Sequence, residues 1–348
     1  MDIQSILDQK LHLGLEQGCF PGAVAACGCK DLVLAVSYVG KLALDGEDVN
    51  RKTRYDMASL TKVLGPTMIA FQAIQEGRLT LYDTLETWLE NVPEDKKQIT
   101  VFQLMTHTAG FTPSFRLDQT VEKPEESLRA ILGSALISKP GEQPNYSCMG
   151  YITLGKILEK VYGEKLNVLA KKLVFDPLGM PNTGYLPEGN NIAATEVDPV
   201  THVAWQGVVH DENARFQGGV SANAGIFSCV DDMIAFCRML SKGGDGYICP
   251  TLFKKAIRNY TPGFDTHRGL GFHLAGTEYN YMGDLFPECS FGHTGFTGTS
   301  VAIDPTTGFY VILLSNRVHP TRASDRLFRF RRAFHNALYA AFDKQFKD

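Results

Sequence analysis

The sequence predicts an α/β protein of the α+β kind, with one sheet built from both chain ends, helices at the N- and C-termini, and an all-α domain inserted into it. Three observations predict it. Two early runs of small and β-branched residues read as a strand pair, strand signals return only after about Asn223, and helical spacing dominates the stretch between. The implied division is a sheet domain made of residues 1–65 and 220–348 and a mainly helical domain of residues 66–219.

Taken in order, Ile3, Ile6, Leu7, Leu11 and Leu15 fall at near-helical spacing, and Gly18 supplies a stop, so residues 2–16 form an amphipathic helix. Residues 22–29 and 32–39, separated by Lys30-Asp31, form a hairpin. From Leu60 to Gly189 the helical segments are 101–106, 125–132, 151–161 and 166–174, punctuated by Pro and Gly loops. Strands return at 225–229, 271–275, 299–303 and 309–314, the last two joined by Asp304-Pro305-Thr306-Thr307-Gly308, and residues 324–346 close the chain as a helix.

Composition excludes several function classes. The net charge is −4 and no Lys/Arg block is present, which argues against a nucleic-acid partner. No apolar run approaches the roughly 20 residues of a membrane span. The first ten residues carry acids where an export signal has its basic region, so a cytoplasmic location is expected. The eight cysteines lie scattered through apolar segments and read as reduced thiols. Cys27-x-Cys29 lacks a second ligand pair, so no metal and no cofactor is expected.

The sharpest local feature is Ser59-Leu60-Thr61-Lys62. Leu60, Val63, Leu64, Met68, Phe71 and Ile74 follow at helical spacing, which places Ser59 at a helix start and Lys62 on the same face three residues on. A serine hydroxyl needs a group to take its proton, and a lysine desolvated between two domains is expected to have its pKa lowered enough to serve. The free backbone N–H groups of a first helical turn also suit a developing oxyanion. Pro66 is expected to kink the helix that follows. Further on, Tyr146-Ser147-Cys148 ends a Pro-rich loop, and His293-Thr294-Gly295 opens the run toward the penultimate strand, where Gly295 lets a substrate lie against the strand edge.

This order of three motifs resembles the serine β-lactamase and penicillin-binding protein family, in the branch of class C β-lactamases, D-alanyl-D-alanine carboxypeptidases and family VIII esterases. The likeness runs along nearly the whole chain, through 104–111, 175–180, 209–214, 225–228, 292–298 and 315–320. The resemblance implies a β-lactamase/transpeptidase-like fold, an antiparallel sheet with flanking helices plus an α-helical domain, with the active site in the cleft between them. It also implies that Ser59 is the acylated nucleophile, Lys62 its proton partner, Tyr146 the general base or acid, and the backbone N–H groups of Ser59 and Phe296 the oxyanion hole.

Two departures bear on activity. Cys148 stands where the family usually has Asn or Asp, and a thiol is a poor partner for Lys62 or a substrate amide. His293 replaces the third-motif lysine and is expected to be a weaker, pH-dependent cation. Thr294, Gly295, Arg317 and Arg322 are candidate substrate contacts, the two arginines for a carboxylate, against the alternative that they are solvated loop residues. His107 and His210 read as loop-pinning groups. The expected function is a serine hydrolase forming a Ser59 acyl-enzyme on a small ester, amide or peptide. The alternative is a non-catalytic ligand-binding or penicillin-trapping protein on the same fold.

Overall fold

The computed structural model describes residues 2–278 and 280–346. Helix α1 (Ile3–Glu16) starts where the Asp2 carboxylate accepts the Ser5 N–H at 2.7 Å, and it buries the predicted stripe of Ile3, Leu7 and Leu11. The hairpin follows as β1 (Gly22–Cys29) and β2 (Leu32–Gly40). A two-residue strand, β3 (Tyr55–Asp56), leads into a 3₁₀ turn at Ala58–Leu60 and the short helix α2 (Thr61–Leu64).

Pro66 does not kink one helix but separates two. Gly65, at φ −114° and ψ −88°, leaves the helical conformation and ends α2, and Pro66 opens α3 (Pro66–Gln75) at the first position, where no N–H is needed. The helical stretch continues through α4 (Leu85–Trp88), α5 (Val101–Met105), α6 (Ser127–Gly133), α7 (Cys148–Tyr162) and α8 (Leu166–Ala170), the last running into a wider π-type turn at Lys171–Phe175. Helix α7 begins three residues earlier than its apolar spacing predicts. Ser147 caps it by accepting the Gly150 N–H at 3.1 Å, and Gly163, at φ +70°, ends it in the left-handed conformation.

The middle of the chain is not wholly helical. Strand β4 (Gly184–Tyr185) precedes α9 (Glu212–Phe216) and pairs with β5 (Ile226–Ser228), which also pairs with β3. The expectation that residues 225–229 join the main sheet is therefore corrected. These strands have two or three residues each and form a separate three-stranded sheet, in which the Met57 N–H donates to Ile226 and the Ile226 N–H to Thr61 Oγ1. That small sheet props the Ser59 turn.

Helices α10 (Val230–Ser241) and α11 (Pro250–Ala256) precede β6 (His267–Arg268), β7 (His273–Leu274), β8 (Phe291–Thr294), β9 (Ser300–Ile303) and β10 (Phe309–Ser315), and α12 (Arg326–Phe346) ends the described chain. The main sheet is antiparallel throughout, in the order β2-β1-β10-β9-β8-β7-β6. Both chain ends build it, as the sequence predicts.

Alternating residues of these strands feed two cores. Val24, Ala26, Val301, Ile303, Ile312 and Leu314 pack with the helices on one face, while Ala23, Ala25, Ala302, Val311 and Leu313 pack with α1 and α12 on the other. Each large apolar side chain buried in this way contributes roughly 1.5–3 kcal/mol. The sheet is thereby a rigid floor, and β8 carries His293 and Thr294 on it rather than before it.

Candidate active site

Ser59 sits half-buried in the 3₁₀ turn directly before α2. The preceding residue, Ala58, has φ +45°, a left-handed conformation costing a non-glycine residue on the order of 1–3 kcal/mol. Buried Asp56 holds it there, accepting the Ala58 N–H at 2.8 Å on one carboxylate oxygen and the His210 N–H at 2.7 Å on the other. Burial pushes the Asp56 carboxyl up, and the two N–H donors oppose that shift. Thr297 and Thr299 hydroxyls close the turn from the sheet side, donating to the Asp56 and Met57 carbonyls at 2.6 and 3.2 Å.

Lys62 is fully buried and its ammonium is completely used. It donates to Ser59 Oγ at 3.2 Å, to the Asn223 carbonyl at 2.9 Å and to Cys148 Sγ at 3.6 Å. The pKa expected from desolvation is corrected. Burial does oppose the charge, but the neighbouring Cys148 thiol, Tyr146 phenol and Asp211 carboxylate outweigh it and hold Lys62 above the ordinary lysine range. The surroundings of Lys62 thus favour its charged form.

The Tyr146 ring lies 4.9 Å from Lys62 Nζ, and its hydroxyl is buried without a hydrogen-bond partner. Three further side chains enclose the ring, and Tyr151 lies behind one of them. His107 lies 4.5 Å and His293 6.0 Å away by ring centres, the Arg268 guanidinium lies 5.3 Å from the ring centre, and Tyr151 packs against His107 at 5.1 Å. His107 Nδ1 accepts the Ser147 N–H at 3.1 Å, which puts its proton on Nε2.

His293 is not the cation expected of it. Burial first, then the Lys62 and Arg268 charges, push its pKa well below the usual histidine value. The neutral ring donates Nδ1–H to the Thr294 carbonyl at 2.8 Å, which leaves a buried, unpartnered lone pair on Nε2. Gly295 also has a different reason from the one expected. A Cβ there would lie 2.2 Å from Thr299 Oγ1 and 2.4 Å from the Met57 carbonyl, so glycine allows the β8–β9 turn to close on the Ser59 segment.

Within that turn, Phe296 is 48% exposed, and among the described residues neither its N–H nor that of Ser59 bonds to another group of the protein, so both are free to donate. The Phe296 ring stacks on His210 at 5.7 Å, with Arg317 4.7 Å and Arg322 5.8 Å from its centre.

Arg317 is buried rather than solvated, while Arg322 is an exposed loop residue whose guanidinium is taken up by ion pairs. Arg317 is 4% exposed and donates to the Ser324 carbonyl at 2.7 Å. Arg322 is ion-paired with Glu196 and, at 2.8 Å, with Glu212, and Glu196 in turn meets His210 Nε2 at 2.9 Å. His210 thus pins its loop, as expected.

Sequence reasoning missed the Asn223 carbonyl, the Asp56 support and Arg268. Backbone acceptors carry no residue signature, and Arg268 reaches Tyr146 from an edge strand more than a hundred residues later in the chain. The Tyr55-Asp56 step into a Ser-x-x-Lys is the one local signal that pointed to Asp56.

A family model described as Beta-lactamase matches residues 7–335. The chain belongs to the β-lactamase family. A putative D-alanyl-D-alanine carboxypeptidase of Salmonella typhi is 30% identical over 314 residues, spanning 79% of this chain and 72% of the relative. Among solved structures, EstCE1, a hydrolase with promiscuous acyltransferase activity, superposes with a TM-score of 0.80 at 21% identity, covering 97% of this chain and 98% of that one. A class C β-lactamase from Rhodobacter sphaeroides gives 0.77 at 16% identity, covering 97% and 99%. These likenesses establish the β-lactamase/transpeptidase fold for the chain, in a family of serine hydrolases with carboxypeptidase and esterase members. Among the described residues no helix is long and apolar enough to cross a membrane.

Proposed function

We propose that this β-lactamase-family chain is a serine hydrolase that forms an acyl-enzyme on Ser59 from a small ester or amide, in the groove where residues 1–65 and 220–348 meet the helical residues 66–219. The observation that carries the reading is the single Lys62 ammonium shared between Ser59 Oγ at 3.2 Å and the Tyr146 ring at 4.9 Å. Ser59 Oγ attacks the substrate carbonyl, and its proton passes to the Tyr146 oxygen as the Tyr146 proton passes to the leaving oxygen or nitrogen. Lys62 orients the hydroxyl and offsets the negative charge of the relay. The Ser59 and Phe296 N–H groups receive the carbonyl oxygen as it becomes an oxyanion. Water then attacks the acyl-enzyme, giving one proton by the same route to Ser59 Oγ and releasing the acid.

The relatives' names support the reaction class, since one is a putative carboxypeptidase and another a hydrolase with acyltransferase activity. The test is labelling with a fluorophosphonate, which reacts with activated serines. A single adduct on the peptide carrying Ser59, lost in Ser59→Ala, is the expected result. An unlabelled, folded protein would favour a non-catalytic ligand-binding role instead.

A further inference from the structure

The neutral His293 leaves the sheet side of the site without the positive charge that a third-motif lysine would bring. A different cation fills that side. Arg268, on the edge strand β6, is 7% exposed and points its guanidinium over the Tyr146 ring at 5.3 Å. Among the described residues it forms no ion pair and no side-chain hydrogen bond, and its Nε is buried without a partner. The neighbours that favour its charge are phenols, Tyr146, Tyr151 and Tyr281, rather than a carboxylate.

A buried guanidinium with no counter-ion is costly unless something nearby uses its charge. Burial first, and then the Lys62 and Arg268 charges, push both His107 and His293 well below the usual histidine value. The group on which negative charge builds during a proton relay is the Tyr146 oxygen. We propose that Arg268 is a positioning residue for the reaction. It packs over Tyr146, fixes the ring between Lys62 and His293, and offsets the negative charge that builds on the phenol oxygen during proton transfer. This rests on the serine-hydrolase reading and deepens it.

The test is steady-state hydrolysis of a neutral alkyl ester by wild type, Arg268→Gln, Arg268→Lys, Tyr146→Phe and the double variant Arg268→Gln/Tyr146→Phe. The alkoxide leaving group of such an ester, unlike p-nitrophenolate, must be protonated, so its hydrolysis reports the relay. Arg268→Gln is expected to lower kcat by about 10- to 100-fold with KM held within about twofold, because the general acid–base step is impaired and substrate contacts are not. Arg268→Lys, which keeps the charge and disturbs packing least, is expected to recover part of the loss. In the Tyr146→Phe background, Arg268→Gln is expected to cost nothing further, the signature of two residues acting as one unit. Full kcat in folded Arg268→Gln overturns the inference, as does an added loss in the double variant. A KM rise confined to carboxylate-bearing esters overturns it too, since Arg268 would then bind substrate. Should wild type itself fail to turn over, the hydrolase reading fails instead.

Discussion

The Lys62 ammonium donates to the Cys148 thiol at 3.6 Å. A thiol can fill the third acceptor position of a buried lysine, although it accepts weakly and offers a substrate amide no carbonyl oxygen. Cys148 occupies the first turn of α7, half-buried, with the Ser147 cap fixing its direction. Replacement by a side-chain amide at the same place is therefore informative. Cys148→Asn is expected to raise turnover of amides relative to esters by several-fold, measured as the ratio of kcat/KM for an anilide and a phenyl ester. An unchanged ratio would assign Cys148 to packing alone.

Gly295 sets how closely the β8–β9 turn approaches the Ser59 segment. Gly295→Ala forces a Cβ toward the Met57 carbonyl, a backbone atom that cannot swing aside, so the Phe296 N–H must retreat from the site. The expected outcome is a loss of about 10²-fold or more in kcat, the size seen when one oxyanion donor is removed. Wild-type kcat in this variant would place the oxyanion donors elsewhere.

Arg322 is committed to Glu196 and Glu212, so its removal should not alter discrimination between acids and neutral esters. Arg322→Ala is expected to leave the ratio of KM values for a carboxylate-bearing ester and its neutral analogue unchanged. Stability should fall by roughly 1 kcal/mol, because this partly exposed network anchors the His210 loop. A KM rise for the acid alone would return Arg322 to the substrate.

Buried His273 and His335 each contribute to acid sensitivity. Burial and the neighbouring arginine charges, Arg268 for His273 and Arg331 for His335, bring both down to about 3. In the unfolded chain each titrates near 6.5, so between these values the unfolded state binds more protons than the folded one. Their contribution is whole above about pH 6.5 and is lost as pH falls toward 3. Urea unfolding at pH 7 and pH 5 should show lower stability at pH 5, and His335→Gln should flatten that dependence. Equal slopes in wild type and variant would show that His335 is not depressed.

The legible parts of this fold and site are the local ones. Ser59 and Lys62 share a face because they are three residues apart, and the β1–β2 hairpin and α1 follow from their own spacing. The two-to-three-residue strands of the small sheet were not legible, since so few residues carry no period and their pairing joins residues far apart in the chain. Lys62 illustrates the second gap. Burial alone argues for a depressed lysine, while Cys148, Tyr146 and Asp211, three side chains delivered by tertiary contacts, push the other way. Arg268 was hidden for the same reason, in a two-residue strand at the sheet edge.

The most direct measurement is hydrolysis of p-nitrophenyl acetate by wild type and Ser59→Ala side by side, because an activated ester demands little beyond a nucleophile and an oxyanion hole. The account predicts turnover in wild type that falls to the uncatalysed rate in Ser59→Ala, with both proteins folded to the same Tm within a few degrees. Equal rates in the two proteins, at background or above it, would contradict Ser59 as the nucleophile.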